Sequence, residues 1–165
     1  MTCSSRLAVV LLLAASAATA GDDEICRASL KGLKGVYVLI EPLQADVERG
    51  GLNKTSIQTD VELKLRQAGI TVLTEAEMLA ALGHPTLYIN VNTHSGPMYA
   101  FSIRVELCQD VRLDRDPSLQ LSDATTWSVG AVGTVGRNNF RDIRDHIKDS
   151  VDEFINAYLS VNPKK

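Results

Sequence analysis

The residue types with the widest chemical scope in this 165-residue chain are its three cysteines and three histidines. Cys3 lies in a leader-like segment, so Cys26 and Cys108 are the cysteines of the folded part of the chain. In an oxidising compartment two cysteines allow one intramolecular pairing, and we predict a Cys26–Cys108 disulfide. Two separate free thiols, one of them buried, are the alternative. The sequence has no Cys-x-x-Cys motif, so nothing in it indicates thiol–disulfide exchange.

The histidines and serines give little support for a catalytic or metal site. His84, His94 and His146 lack the spacing of metal ligands, such as His-x-x-x-His. Ser95 follows His94, but the Gly-x-Ser-x-Gly context of a nucleophile elbow is missing. The glycine-rich segment 130–136 has its glycines three apart, with alternating apolar residues, which predicts a curved strand rather than a phosphate loop. We expect no metal and no cofactor, and no catalytic residue is identified.

Arg104 and Glu106 are the charged residues that stand out on a strand. They are two positions apart, so their side chains point to the same face of the sheet. We predict a polar docking face around them; a solvated face with local ion pairing is the alternative. Lys and Arg together number 17 against 20 Asp and Glu, a net charge of −3, which gives no electrostatic footprint for nucleic acid.

Hydrophobic periodicity sets out the elements that position these residues. Alternation is clearest from Tyr99 to Leu113, with a bulge expected near 108–110. The long helical stripe begins at Phe140. The full order is a strand at 36–40 buried on both faces, a loop at 43–53, a helix to Ala68, strand 70–73, a short helix to Leu82, strand 87–92, strand 99–113, a polar connection at 114–123, strand 125–135 and a final helix.

This order predicts the fold class. Strand, helix and strand in succession imply a parallel crossover, and the last three strands form an antiparallel meander. We therefore predict an α+β two-layer sandwich, with a mixed sheet whose two longer helices cover one face. The other face, with Ser102, Arg104, Glu106, Thr126 and Ser128, is expected to meet solvent or a partner.

The first twenty residues have the layout of a secretory signal peptide. Arg6 precedes the apolar run 7–15, and Ala18-Thr19-Ala20 supplies a small-residue cleavage site. We expect cleavage after Ala20, a single domain over 21–165, and a periplasmic or extracellular protein with no membrane span. A retained anchor helix is the alternative, but the apolar run is short for a bilayer.

The run D-V-E-L-K-L-R-Q-A-G-I-T-V, from Asp60 to Val72, resembles the amino-terminal domain of TolB and related envelope modules. The whole chain also resembles small exported bacterial families with no assigned activity. The resemblance implies a periplasmic, non-catalytic interaction role and supplies no functional residues.

The sequence thus favours an exported, monomeric, non-catalytic binding module, with an envelope or secreted protein as its partner. A secreted hydrolase with a site in the loops at 43–53 and 93–98 is one alternative. A small-ligand carrier is the other.

Overall fold

The computed structural model describes residues 21–137 and 139–163. In chain order, its elements are α1 (Glu24–Ala28), β1 (Val36–Ile40), α2 (Ala45–Arg49), α3 (Lys54–Ala68), β2 (Val72–Leu73), α4 (Glu75–Ala80), β3 (Thr86–His94), β4 (Tyr99–Leu113), β5 (Asp116–Val135) and α5 (Phe140–Val161).

The strands form one mixed sheet in the order β2-β1-β3-β4-β5. β1 pairs in parallel with both β2 and β3, whereas β4 is antiparallel to β3 and to β5. The α+β two-layer sandwich is thus confirmed, because a parallel crossover leads into an antiparallel meander.

Local sequence signals fix where the first long helix and the short α4 begin and end. Asn53 caps α3, since its side-chain oxygen accepts a hydrogen bond from the amide of Ser56 at 3.2 Å. Gly69 ends α3 with φ of 82°, a conformation that glycine adopts without a steric penalty. Thr74 and Glu77 form a reciprocal capping box at the start of α4.

The core lies between the sheet and the two long helices, α3 and α5. Alternate residues of β3 from Leu87 to Val91 and of β4 from Tyr99 to Leu107 are buried in this core, and α5 brings Phe154 onto Trp127 with ring centroids 5.3 Å apart. The two rings meet edge to face, a favoured aromatic arrangement. Both long helices therefore cover the same face of the sheet.

Ion pairs hold the two long helices side by side. Arg144 donates to both oxygens of Asp60, at 2.6 and 2.9 Å, and Lys64 bonds both oxygens of Asp152 at 2.7 Å. The Arg144 hydrogen bonds hold the pKa of Asp60 below its usual value. These contacts set the spacing of α3 and α5 over the sheet.

A second polar contact attaches the amino-terminal α1 to the core. Asp22 accepts a hydrogen bond from the Trp127 indole at 2.7 Å and forms a bidentate pair with Arg27. The hydrogen bond from Arg27 lowers the pKa of Asp22, because it stabilises the charged carboxylate. The polar end of the buried Trp127 is thus satisfied by a residue distant in sequence.

Three sequence expectations differ from the structure. The loop at 43–53 contains the short helix α2, and the polar connection 114–123 is mostly strand, since β5 begins at Asp116. Gln120 pairs with Arg112, so β4 and β5 continue as a long exposed hairpin. β1 is buried on one face only: Val36, Val38 and Ile40 are buried, whereas Leu39, which points to the opposite face of the sheet, is 40% exposed.

The register is irregular where the sequence predicts a bulge, beside 108–110, but the extra residue lies in β5 rather than in β4. Leu107 pairs with Trp127, whereas Cys108 pairs with Thr125, so Thr126 is an extra residue in β5. An extra residue in one strand changes the face to which the side chains beyond it point, here those on the amino-terminal side of Thr126 in β5. Thr125, rather than the expected Thr126, therefore joins Cys108 on the face opposite the long helices.

The predicted Cys26–Cys108 disulfide is wrong for this structure, in which both cysteines are free. Cys26 lies on α1 and packs against the core on the helix-covered side. Cys108 is 8% exposed and lines the opposite side of the sheet, where its sulfur lies 4.0 Å from Thr125 Oγ1. A disulfide requires Cα atoms within about 7 Å, a distance that the intervening sheet layer prevents.

The expected signal peptide, residues 1–20, lies outside the described residues. Among the residues that are described, no helix is long and apolar enough to cross a membrane.

The free state of the Cys26 and Cys108 thiols can be tested by alkylation. When the unfolded protein is treated with an alkylating reagent and no reductant, we expect peptide mapping to find a label on both Cys26 and Cys108. In the folded protein Cys108 should react much more slowly, because it is 8% exposed. Recovery of a disulfide-linked peptide pair instead of two labels would contradict the free-thiol structure.

The Trp127–Phe154 contact predicts a large stability effect. Phe154→Ala should lower the free energy of unfolding by about 3–5 kcal/mol, because it leaves a cavity beneath a fully buried ring. Urea unfolding followed by circular dichroism measures the change. Leu63→Ala is the control: Leu63 is 52% exposed on α3, and its loss should cost less than about 0.5 kcal/mol.

Candidate binding groove on the open sheet face

The face of the sheet opposite α3 and α5, here called the open face, presents side chains in ordered rows. The strand register aligns residues from four neighbouring strands across this face. The first row is Tyr37, Thr86, Cys108 and Thr125, and the second is Leu39, Tyr88, Glu106 and Ser128.

A groove of about 570 Å³, open to solvent, lies over these rows. Helix α4 borders it through Glu75 and Met78, and Asp123 contributes from β5. The complete lining is Tyr37, Leu39, Glu75, Met78, Thr86, Tyr88, Arg104, Glu106, Cys108, Asp123 and Thr125. Apolar, aromatic and charged groups therefore meet in one concave surface, which is the usual composition of a ligand site.

Arg104 and Glu106, the two residues that the sequence singles out, both line the groove. Arg104 Nε lies 3.3 Å from Glu106 Oε1, so the two side chains form an ion pair. Their exposure differs: the Arg104 side chain is 61% exposed, but that of Glu106 is only 12% exposed. The carboxylate thus lies within the sheet surface, while the guanidinium extends towards solvent.

Tyr88 is the cross-strand neighbour of Glu106 and has a strongly altered acidity. Burial and a hydrogen bond with the Glu41 carboxylate raise the pKa of Tyr88 to about 12, because both disfavour the phenolate. Asn90 also donates to Glu41, at 2.5 Å. Tyr88 is consequently a neutral phenol at physiological pH.

The thiol of Cys108 is likewise held in its neutral form. Burial raises the pKa of Cys108, since an apolar environment disfavours the thiolate. The thiolate is the reactive species of cysteine, so this environment makes the side chain unreactive. Cys108 contributes a small apolar surface to the groove wall.

Three parts of the groove were not predicted from the sequence. Tyr37 and Leu39 belong to an apolar run that is typical of a strand buried on both faces, and no local pattern marks them as accessible. Thr125 reaches the groove because of the bulge, and Glu75 and Met78 reach it because α4 packs beside β1. In the folded protein, the exposure of Leu39 shows that this side of β1 is accessible.

The loops of the expected hydrolase alternative do come together, but away from the groove. Thr93 Oγ1 lies 3.0 Å from Gln44 Oε1, and the Tyr99 hydroxyl donates to Asp46 at 3.1 Å. The Asp46 hydrogen bond raises the pKa of Tyr99 by favouring the protonated phenol. These contacts hold the loops in place, and neither pairs a nucleophile with a base.

The histidines are also separated. His84 pairs with Asp110 at 3.0 Å, His94 ends β3, and His146 lies against the ring of Phe101. Within residues 21–137 and 139–163, no group of three His, Cys, Asp or Glu side chains is arranged to hold a metal ion.

Comparisons with protein-family models, with curated proteins and with solved structures give no match. The function is therefore argued from the groove itself.

The environment of Tyr88 generates a prediction. Glu41→Gln should lower the pKa of Tyr88 from about 12, because the negative charge that opposes the phenolate is removed. The pKa should stay above the ordinary value of about 10, since burial remains. A pH titration of ¹³C-labelled tyrosine by NMR measures it, with Tyr99 as the internal reference, because Tyr99 depends on Asp46. An unchanged Tyr88 titration would contradict the assigned contact.

Proposed function

We propose that this chain is an exported, non-catalytic binding protein that holds its ligand in the groove of the open face. The observation that carries the proposal is the groove itself, which has a volume of about 570 Å³ and lies on the sheet face opposite α3 and α5. Protein pockets for small molecules have volumes of about 300–1,000 Å³. The leader-like layout of residues 1–20 supports export.

The chemical state of the groove supports binding over catalysis. Tyr88 stays protonated and Cys108 stays a neutral thiol, so neither supplies a base or a nucleophile at neutral pH. The remaining polar groups are an ion pair, threonine hydroxyls and carboxylates, which can orient a ligand through hydrogen bonds and charge. The hydrolase alternative therefore has the weaker support.

The ligand of a binding protein is either another protein or a small molecule, and the size of the groove distinguishes between the two. Docking of an envelope or secreted protein, as the TolB-like resemblance implies, calls for a broad contact surface. Specific protein interfaces bury about 800 Å² on each partner. A groove of this volume instead matches a small molecule, which favours the small-ligand carrier.

Leu39 offers a direct test of the groove. Leu39→Arg places a long charged side chain in it, and Leu63→Arg makes the same change at a residue of similar exposure, 52% against 40%, on the opposite side of the molecule. Each protein is isolated from its own compartment and analysed by native mass spectrometry. We expect a bound species on the wild type and on Leu63→Arg, and its loss from Leu39→Arg.

The same spectra test export, since the mature chain should begin at Gly21. A bound species that survives in Leu39→Arg would place binding elsewhere. A wild-type protein that carries no bound species would contradict the carrier proposal.

A further inference from the structure

The groove carries an excess of negative charge. Three carboxylates line it, those of Glu75, Glu106 and Asp123, against the single guanidinium of Arg104, a formal balance of −2. Charges that line one concave surface with apolar walls reinforce one another and attract counter-ions from solution. The ligand that this field favours is a cation.

Arg104 does not cancel this field. It contacts Glu106 through Nε at 3.3 Å, not through a short bidentate arrangement, and its side chain is 61% exposed. Water screens this guanidinium and, in the same way, the exposed carboxylates of Glu75 and Asp123, so the charge deep in the groove depends mainly on Glu106. Glu106, at 12% exposure, lies deeper and is the carboxylate best placed to meet a ligand.

Apart from the hydroxyls of Thr86 and Thr125, the rest of the groove surface is mainly apolar and aromatic. Leu39 and Met78 provide aliphatic contact, and Tyr37 and Tyr88 provide two aromatic side chains. Aromatic rings attract cations through their electron-rich faces, most strongly where water is excluded. Such a surface suits a ligand with a hydrophobic body as well as a charge.

A metal ion does not satisfy these features. In the part of the chain that the structure describes, the acidic side chains do not come together closely enough to coordinate a metal. A bound metal ion would also make no use of the aromatic rings of the tyrosines or of the aliphatic side chain of Leu39. A larger cation, with its charge on one end of an apolar body, can contact the carboxylates and the aromatic side chains together.

We propose that the groove of the open face binds a small organic cation, an ammonium or guanidinium group attached to an apolar body, with Glu106 as the principal charge partner and Tyr37, Tyr88, Leu39 and Met78 around the body. This inference rests on the proposed function and specifies the chemical class of its ligand.

Three probes that share one body isolate the contribution of charge. Phenethylammonium is cationic, 2-phenylethanol is neutral and phenylacetate is anionic, while all three present the same ring. Isothermal titration calorimetry and saturation-transfer NMR measure their binding to the wild-type chain. We expect phenethylammonium to bind about tenfold more tightly than 2-phenylethanol, and phenylacetate to bind most weakly.

Charge-neutral variants test the assignment to Glu106. Glu106→Gln keeps the shape of the side chain and should weaken phenethylammonium about tenfold while leaving 2-phenylethanol unchanged. Glu75→Gln, at the exposed start of α4, should give a smaller loss, and Glu48→Gln, on α2 outside the groove, should give none. Circular dichroism and urea unfolding check that each variant is folded. If Glu106→Gln does not fold, the loss of phenethylammonium binding in Glu75→Gln is the deciding result.

The outcomes separate this inference from the proposed function. Equal binding of the three probes, with loss of all three in Leu39→Arg, would overturn the cation preference and leave the groove as a binding site. Phenethylammonium binding that is insensitive to Leu39→Arg or to Glu106→Gln would place the cation elsewhere. Failure of phenethylammonium to bind at millimolar concentration would overturn the inference, and native mass spectrometry would still report on the groove.

Discussion

The structure depends on one constraint: the two long amphipathic helices, α3 and α5, suffice to cover one face of the five-stranded sheet. Their apolar stripes bury alternate residues of β3 and β4, and the Trp127–Phe154 contact belongs to the same layer, on the edge strand β5. The opposite face then has to be compatible with water, which explains why it carries threonines, tyrosines and charged side chains. The candidate site occupies this face for the same reason.

Two local departures from a regular sheet shape that face. The extra residue Thr126 shifts the register, so that Cys108 and Thr125 meet across β4 and β5 and both line the groove. Helix α4, set by its capping box, borders the groove beside β1. A flat, regular sheet without these features would present a surface with no concavity, and the same polar side chains would simply be solvated.

The electrostatics of the groove support binding more than reaction. Burial keeps Cys108 as a thiol, and burial with the Glu41 carboxylate keeps Tyr88 as a phenol, while Glu106 remains an acceptor within the sheet surface. Enzyme sites commonly shift pKa values towards the working pH, whereas these shifts move both groups away from it. The structure thus provides contact surface, hydrogen-bonding groups and charge without an activated group.

The sequence by itself determined the fold class, the parallel crossover, the place along β4 where the register breaks and the shared direction of Arg104 and Glu106, because periodicity, capping residues and the pleat of a strand are local properties. Only the tertiary structure decided that Cys26 and Cys108 lie on opposite sides of the sheet, and that Leu39 is accessible. Both depend on which layers form above and below each strand. An apolar run has the same sequence pattern whether the strand is covered on one face or on both. The groove likewise depends on long-range register and on where α4 packs, which no local pattern encodes.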